Sequence, residues 1–339
     1  MLNPLKYNYV LFNSQDGPTW KDFPDGYYNI CVEELKNVAG IRVVSAPLCH
    51  CPSLIRLLFS IHSSPALAKK INLPFKNLWY PYYFPNDFTE KKPLCFLLLN
   101  HHIPLPYLDY LKLKYPDCKI VLLHRDLVKV CQRQAPKLLD NKNIDLEMTF
   151  DKGESLKFGF PHFNEFESKL DIKVLPTPES DVYFAGKGKD RLPLLLDIYY
   201  KMTTLGLQCK YFLTGVPQDQ RVELPGVEYA DRFMTYREML YHTVNTRFLL
   251  EINQGGADGY TSRFLEAVMY NKKLITNNSF IKNSHFYNPR YIHIINSAED
   301  LQKDFLIDQS QVDFHYNDEF SPMRMIERVD EELVKKYGR

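Results

Sequence analysis

The sequence predicts two consecutive α/β domains, each built on a parallel sheet. Three observations carry that expectation. Short apolar runs rich in leucine and β-branched residues alternate with segments whose apolar residues recur at helical spacing. The alternation breaks at a proline-bearing stretch, DIKVLPTPESDVYFAGKGKDR (171–191), and then restarts. The chain, at 339 residues, exceeds what one core usually organises.

In the first half, YNYVLFN (7–13), IRVVSA (41–46), LCFLLLN (94–100) and KIVLLH (119–124) read as strands. Between the last two, LPYLDYLKLKYP carries apolar residues at helical spacing and stops at Pro116. The stretch KNLWYPYYFPNDFTEKKP (76–93) breaks the rhythm with prolines and aromatic rings, as a lid or acceptor-facing loop, or as a packed irregular connection. After the break, DVYFAG (181–186), CKYFLTG (209–215), TRFLLEI (246–252), KLITNN (273–278) and YIHIINS (291–297) are expected strands. RLPLLLDIYYKMTTLG (191–206), YREMLYHTVN (236–245) and SRFLEAVMYNK (262–272) are expected helices, the first closed by Gly206. The tail SPMRMIERVDEELVKKYG (321–338) is a helix with a basic end that suits its dipole. The expected division is 1–172, 177–315, and a terminal helix, 320–339, packing back on the first domain.

Composition narrows the function classes. With 45% apolar and 24% charged residues the chain has enough material for a real core and little for disorder. Forty-two Lys and Arg balance 41 Asp and Glu, so no general polyanion-binding surface is expected and nucleic acid is set aside as a partner. A mild basic excess in the first half is compatible with an anionic membrane surface. Seven irregularly spaced cysteines, with Cys31, Cys95 and Cys118 in apolar surroundings, suit a reducing cytoplasm rather than a disulfide framework. The first residues, MLNPLKYNYVLFNSQDG, are too polar for a signal peptide, and no apolar run is long enough to span a bilayer. The expectation is a cytoplasmic protein whose only membrane role is peripheral, at the inner membrane.

Two α/β domains in tandem imply a cleft between the carboxyl edges of their sheets, where ligands of such folds bind. No G-x-G-x-x-G follows the first strand and no G-x-x-x-x-G-K-[ST] occurs, which argues against dinucleotide and Walker-type chemistry. The informative stretch is DGYTSRFLE (258–266). Gly259, Tyr260, Thr261 and Ser262 stand at a helix start, where free N–H groups and the dipole favour an anion. Glu266, at i+4 from Ser262, lies on the same side and can accept from a diol such as a ribose, and Asp258 can reach a sugar beyond a diphosphate. The plainer alternative makes Asp258 an N-cap or Asx-turn and Glu266 a solvated helix residue.

The array GVEYADRFMTYREMLYHTVNTRFLLEI…DGYTSRFLEAVMYNKKLIT resembles the C-terminal half of GT-B glycosyltransferases, whose Glu-x7-Glu segment stands here as Asp258-x7-Glu266. TSRFLEAVMYNKKLITNNSFI…FYNPRYIHII is similar to bacterial capsular-polysaccharide and lipopolysaccharide biosynthesis glycosyltransferases. The resemblance covers roughly residues 181–300, and the first half matches only in architecture. It implies two Rossmann-like domains facing each other across a cleft. It also implies transfer of a sugar from a nucleotide-sugar donor to a glycan or lipid-linked saccharide in bacterial surface polysaccharide synthesis. In that picture Glu266 holds the donor ribose, Asp258 contacts the donor sugar, Gly259 to Ser262 cradle the diphosphate, and the loop YADRFM (229–234), with Asp231 and Arg232, meets the base.

GKGKDR (186–191) crowds Lys187, Lys189 and Arg191 after the first strand of the second domain, either as a solvated basic turn or as cations for a departing diphosphate. Arg191 is the first choice for its bidentate fork. An inverting transferase also needs a general base, worth about 10²–10⁴-fold, and Asp126, His101 and Asp16, each following a strand of the first half, are the candidates in that order. Each histidine can equally be a strand-end residue bonded to backbone. Cys49–His50–Cys51 lacks a second ligand pair for zinc, and no D-x-D motif occurs, so no metal and no cofactor is expected. Shortening the first glutamate to Asp258 keeps two alternatives open: a non-catalytic nucleotide-sugar-binding or interaction subunit, or a sugar-nucleotide epimerase of the same architecture.

Overall fold

The computed structural model describes residues 4–13, 25–45, 50–64, 67, 70–99, 104–134, 136–139, 141–232, 234–253 and 259–338. The chain divides into two units, residues 1–168 with 320–339, and residues 169–319. Each carries one sheet in which every paired strand is parallel.

Unit 1 contains β1 (Asn8–Asn13), β2 (Ile41–Ser45), β3 (Leu94–Leu98), β4 (Lys119–His124) and β5 (Leu146–Thr149), in the order β2-β1-β3-β4-β5. Its helices are α1 (Tyr27–Ile30), α2 (Ser53–Ser63), α3 (Lys76–Trp79), α4 (Leu105–Lys114), α5 (Val128–Gln134), α6 (Pro136–Leu139) and α7 (Lys152–Phe158). The period of two along each strand sorts side chains to two faces. Tyr9, Leu11, Cys95, Leu97, Val121 and Leu123 enter one apolar layer; Val10, Phe12, Phe96, Leu98, Ile120 and Leu122 enter the other. The segment expected as either a loop or a packed connection resolves into the second of these. Trp79, Tyr80, Tyr83 and Phe84 cover the second layer beside Tyr107, Leu108 and Leu111 of α4.

Unit 2 contains β6 (Ser180–Lys187), β7 (Cys209–Thr214), β8 (Val227–Ala230), β9 (Thr246–Glu251), β10 (Lys273–Thr276) and β11 (Ile292–Ile294), in the order β11-β10-β9-β6-β7-β8. Its helices are α8 (Leu192–Thr204), α9 (Tyr236–Val244), α10 (Ser262–Met269) and α11 (Lys303–Ile307); α12 (Pro322–Tyr337) returns to unit 1. There Met325, Ile326, Val329 and Leu333 close the first apolar layer, and Tyr9 donates to Asp330 at 2.7 Å. Gly206 follows α8 at φ 80°, the left-handed conformation that ends a helix most easily with glycine. Gly226 leaves no choice: at φ 75°, an added Cβ would lie 2.1 Å from the Cys209 carbonyl oxygen.

The strands β5 and β8 have no counterpart in the sequence expectations. Both are four-residue edge strands, and β8 (VEYA) buries none of its residues fully, so no apolar run announces it. The six described cysteines are buried free thiols whose pKa burial raises, which suits packing rather than reactivity. Among the described residues, no helix is long and apolar enough to cross a membrane.

Candidate functional site

In a doubly wound sheet, the loops that leave adjacent strands on opposite sides of an order reversal separate and open a crevice at the carboxyl edge. In unit 2 that reversal lies between β6 and β9. The two loops that leave these strands are GKGKDR and the stretch containing Gly259 to Ser262.

Arg191 joins them. Its Nε donates to the Lys187 carbonyl at 2.6 Å and its Nη1 to the Ile252 carbonyl at 2.5 Å, while the guanidinium lies 5.4 Å from the centre of the Phe184 ring. Burial lowers the Arg191 pKa, with Asp190 opposing. The fork expected to grip phosphate is therefore spent on two backbone carbonyls, and Arg191 acts as a staple. The glycines before it make room. A Cβ on Gly186 would lie 2.9 Å from Nη2 of Arg191, and one on Gly188 would lie 2.5 Å from Cγ2 of Val216. Lys187 and Lys189 are exposed, and Lys189 sits at φ 44°, a strained conformation for a side chain of its size. Nearby, at the carboxyl end of β7, the buried Thr214 hydroxyl has no partner among the described residues.

On the β9 side, Asp258 lies outside the described residues. The N-cap of α10 is Thr261, whose hydroxyl oxygen accepts from the Phe264 N–H at 3.3 Å. The same hydroxyl donates to Glu251, and the Thr276 hydroxyl donates to the other Glu251 oxygen. Gly259 is buried, and its carbonyl accepts from Asn278 at 3.1 Å. Tyr260 packs against Phe264 and Phe280, at 4.8 and 5.4 Å between ring centres. Ser262 opens the helix and is partly exposed.

Glu266 differs from both sequence expectations: it neither faces solvent nor stands open toward a diol. It is fully buried, accepting from Tyr236 at 2.9 Å through Oε1, and from Thr243 at 3.0 Å and Arg263 through Oε2. The reason is the packing of α10, whose residues from Phe264 to Met269 are all buried. Position 266 thus points inward with its apolar neighbours. Burial raises the Glu266 pKa and Arg263 opposes the rise.

Glu251 is the residue sequence reasoning missed. It ends β9 at 4% exposure, holds the α10 cap and the end of β10 together, and has its pKa raised by burial. A signal was present: a lone carboxylate inside the apolar run FLLEI. Because the folded state binds this proton more tightly than the unfolded chain, its contribution to stability falls as pH rises from the ordinary glutamate value, about 4.3, through the raised one. Glu251→Gln is expected to flatten that decline in denaturation midpoints measured from about pH 4.3 upward. An unchanged profile would show that Glu251 does not titrate in this window.

The remaining candidates are not gathered at this edge. Asp231 is exposed and pairs with Arg221 at 3.1 Å; it and exposed Arg232 follow β8, two strands from β6. In unit 1 the order reverses between β1 and β3. Asp16 and His101, which follow these strands in sequence, lie outside the described residues. Asp126 is exposed and follows β4, one strand beyond the reversal. Its neighbour Arg125 is committed to the core, paired with Glu165 at 2.5 Å and hydrogen-bonded to Tyr27 at 2.7 Å. No group of three or more metal-ligating side chains occurs among the described residues.

No protein-family model and no curated protein matches this sequence. Solved structures do. An alpha-glucosyltransferase, in complex with UDP and a 13-mer DNA containing an HMU base, aligns over 96% of this chain and 94% of its own, at 10% identity and a TM-score of 0.51. The likeness is one of fold. The alpha,alpha-trehalose 6-phosphate synthase of Burkholderia multivorans aligns over 99% of this chain and all of its own, at 8% identity and a TM-score of 0.48. Two Rossmann-like α/β units in one chain are the GT-B architecture.

Proposed function

We propose that this protein is a metal-independent glycosyltransferase. It moves a sugar from a nucleotide-sugar donor to a glycan or lipid-linked saccharide acceptor in bacterial surface polysaccharide synthesis. One observation carries this reading. The loops after β6 and β9 meet at the order reversal of unit 2, stapled by Arg191 and carrying two exposed amines, Lys187 and Lys189. Strand-end loops with cationic side chains beside a helix start suit a diphosphate, whose negative charge grows as the glycosidic bond breaks. The UDP in the glucosyltransferase neighbour makes uridine nucleotides the first donors to try.

Within this reading the residues take revised roles. Lys187 and Lys189 contact the diphosphate, Arg191 sets the distance between the two loops, and Gly259 to Ser262 present backbone N–H groups. Asp258 reaches the donor sugar. Glu266 and Glu251 hold α10 and its cap in place, and donor ribose contact by Glu266 requires exchange of its present partners. The general base, if the enzyme inverts, is sought at Asp16 and His101 before Asp126, because topology puts the first two after the strands that flank the reversal in unit 1.

The test is thermal stabilisation by nucleoside diphosphates, followed by turnover with a panel of nucleotide sugars. A diphosphate at a hundredfold excess over its Kd should stabilise unit 2 by about 2.7 kcal/mol. The Lys187→Ala, Lys189→Ala double variant should lose most of that gain. No stabilisation by any nucleotide would overturn the donor site. Stabilisation without turnover on any glycan would point to the binding subunit, and conversion of the donor without acceptor to the epimerase.

A further inference from the structure

Unit 1 has an exposed apolar surface that the proposed chemistry leaves unused. Seven large apolar side chains within 29 residues are exposed: Leu54, Leu57, Leu67, Ile71, Phe75, Leu78 and Tyr82. Leu54 and Leu57 belong to α2, Phe75, Leu78 and Tyr82 to the aromatic segment that starts at the cap of α3, and Leu67 and Ile71 to the connection between them. In α2 (SLIRLLFSIHS), Ile55 and His62 are buried and Phe59 packs edge-on to Tyr83 at 4.4 Å, while Leu54 and Leu57 remain 65% and 56% exposed. Its polar residues Ser53, Arg56, Ser60 and Ser63 fall on one side, and the apolar arc opposite them is wider than the core covers. Beside it, Trp79, Tyr80 and Tyr83 point into the core, His62 bonds the Tyr80 hydroxyl at 2.7 Å, and Phe75, Leu78 and Tyr82 form an outer ridge at i, i+3 and i+7. Phe75 is 76% exposed and held at φ 53°, a left-handed conformation costly for an aromatic residue. Folding thus accepts backbone strain to present an apolar ring to the outside.

Charge identifies what covers this surface. From residue 35 to residue 86 the sequence contains six Lys and Arg and no Asp or Glu, in a chain whose net charge is only +1. Lys36 and Arg42 pair with Glu33 and Asp87 just outside the stretch, and the other four, Arg56, Lys69, Lys70 and Lys76, fall in the same part of the sequence as the exposed apolar residues. Arg56 and Lys76 bond Ser53 and Asn72, neutral residues of the same surface. A partner protein or a second copy of this chain would bury the leucines equally well, but only an anionic surface matches an acid-free stretch of this length. We propose that the outer faces of α2 and of residues 71–82 dock on an anionic lipid bilayer, with Phe75 and Leu78 inserted and the cations at headgroup level. The proposal goes beyond the donor site and needs neither nucleotide nor turnover; it deepens the glycosyltransferase reading by favouring a lipid-linked acceptor.

The test is co-sedimentation of the full chain with vesicles of phosphatidylcholine alone and with about 30% phosphatidylglycerol, at low and high salt. Partition into the anionic vesicles is expected, reduced by salt and weakened at least about tenfold in Phe75→Ser, Leu78→Ser. Phe75→Gly should raise the melting temperature by relieving the strain while lowering partition, a combination that a purely structural role for Phe75 does not produce. Equal partition of wild type and double variant, or equal binding to both vesicle types, would overturn the proposal. So would a concentration-dependent dimer in sedimentation velocity that the double variant abolishes, since a second copy would then be the occupant.

Discussion

Glu266→Ala is expected to destabilise unit 2 by about 3–5 kcal/mol, the usual cost of removing one partner of a buried ion pair. The carboxylate is fully buried and receives three side-chain donors, so truncation removes the acceptor shared by Arg263, Tyr236 and Thr243 and takes the countercharge from a guanidinium whose Nη1 keeps only the Thr243 hydroxyl oxygen at 2.9 Å. The circular dichroism transition should shift to lower denaturant than in the wild type. Glu266→Gln, which keeps an acceptor for Tyr236 or Thr243 but leaves Arg263 without a countercharge, should fall between the two. Unaltered stability with a raised donor requirement alone would mean that the carboxylate is free for a ribose, as the sequence suggested.

Arg191→Ala should reduce turnover about a hundredfold, because catalytic groups displaced by an ångström or so lose about that much rate. Its two hydrogen bonds to the carbonyls of Lys187 and Ile252 set the spacing of the strand-end loops. Each charged hydrogen bond of this kind contributes about 1.5–3 kcal/mol. The informative comparison is Arg191→Lys. A single ammonium on a flexible stem cannot reproduce a planar fork with donors aimed at two fixed carbonyls, so lysine should rescue little. If Arg191 instead met the donor phosphate as a point charge, lysine would restore much of the activity. Substantial rescue would therefore refute the staple.

Much of the fold was legible because it rests on local pattern. Nine of the eleven strands among the described residues coincide with apolar runs that the alternation picks out, among them Lys119–His124 and Thr246–Glu251. The central ones are buried on both faces, so burial selects their composition. The edge strands β2 and β11 were legible too because IRVVS and IHI sit in apolar runs, while β5 (LEMT) and β8 (VEYA) were missed because they are short and of mixed polarity. The helix α10 was legible as a helix, and Thr261 as part of its start. Which residue capped it was not, because Thr261 and Asp258 are both cap formers and the choice depends on where the backbone turns.

Residue type, spacing and charge along the chain determined two parallel α/β units, the basic turn after β6 and the acid-free stretch from residue 35 to residue 86. Tertiary structure alone decided what the charged groups do. Glu266 turned inward because α10 buries that face, Arg191 became a staple because β6 and β9 are neighbours, and Glu251 joined two threonines ten and 25 residues away. The physical reason is common to all three. A carboxylate or guanidinium finds its lowest free energy with whatever partners the packed chain brings within about 3 Å. Those partners are set by strand order and helix rotation, which sequence distance does not encode.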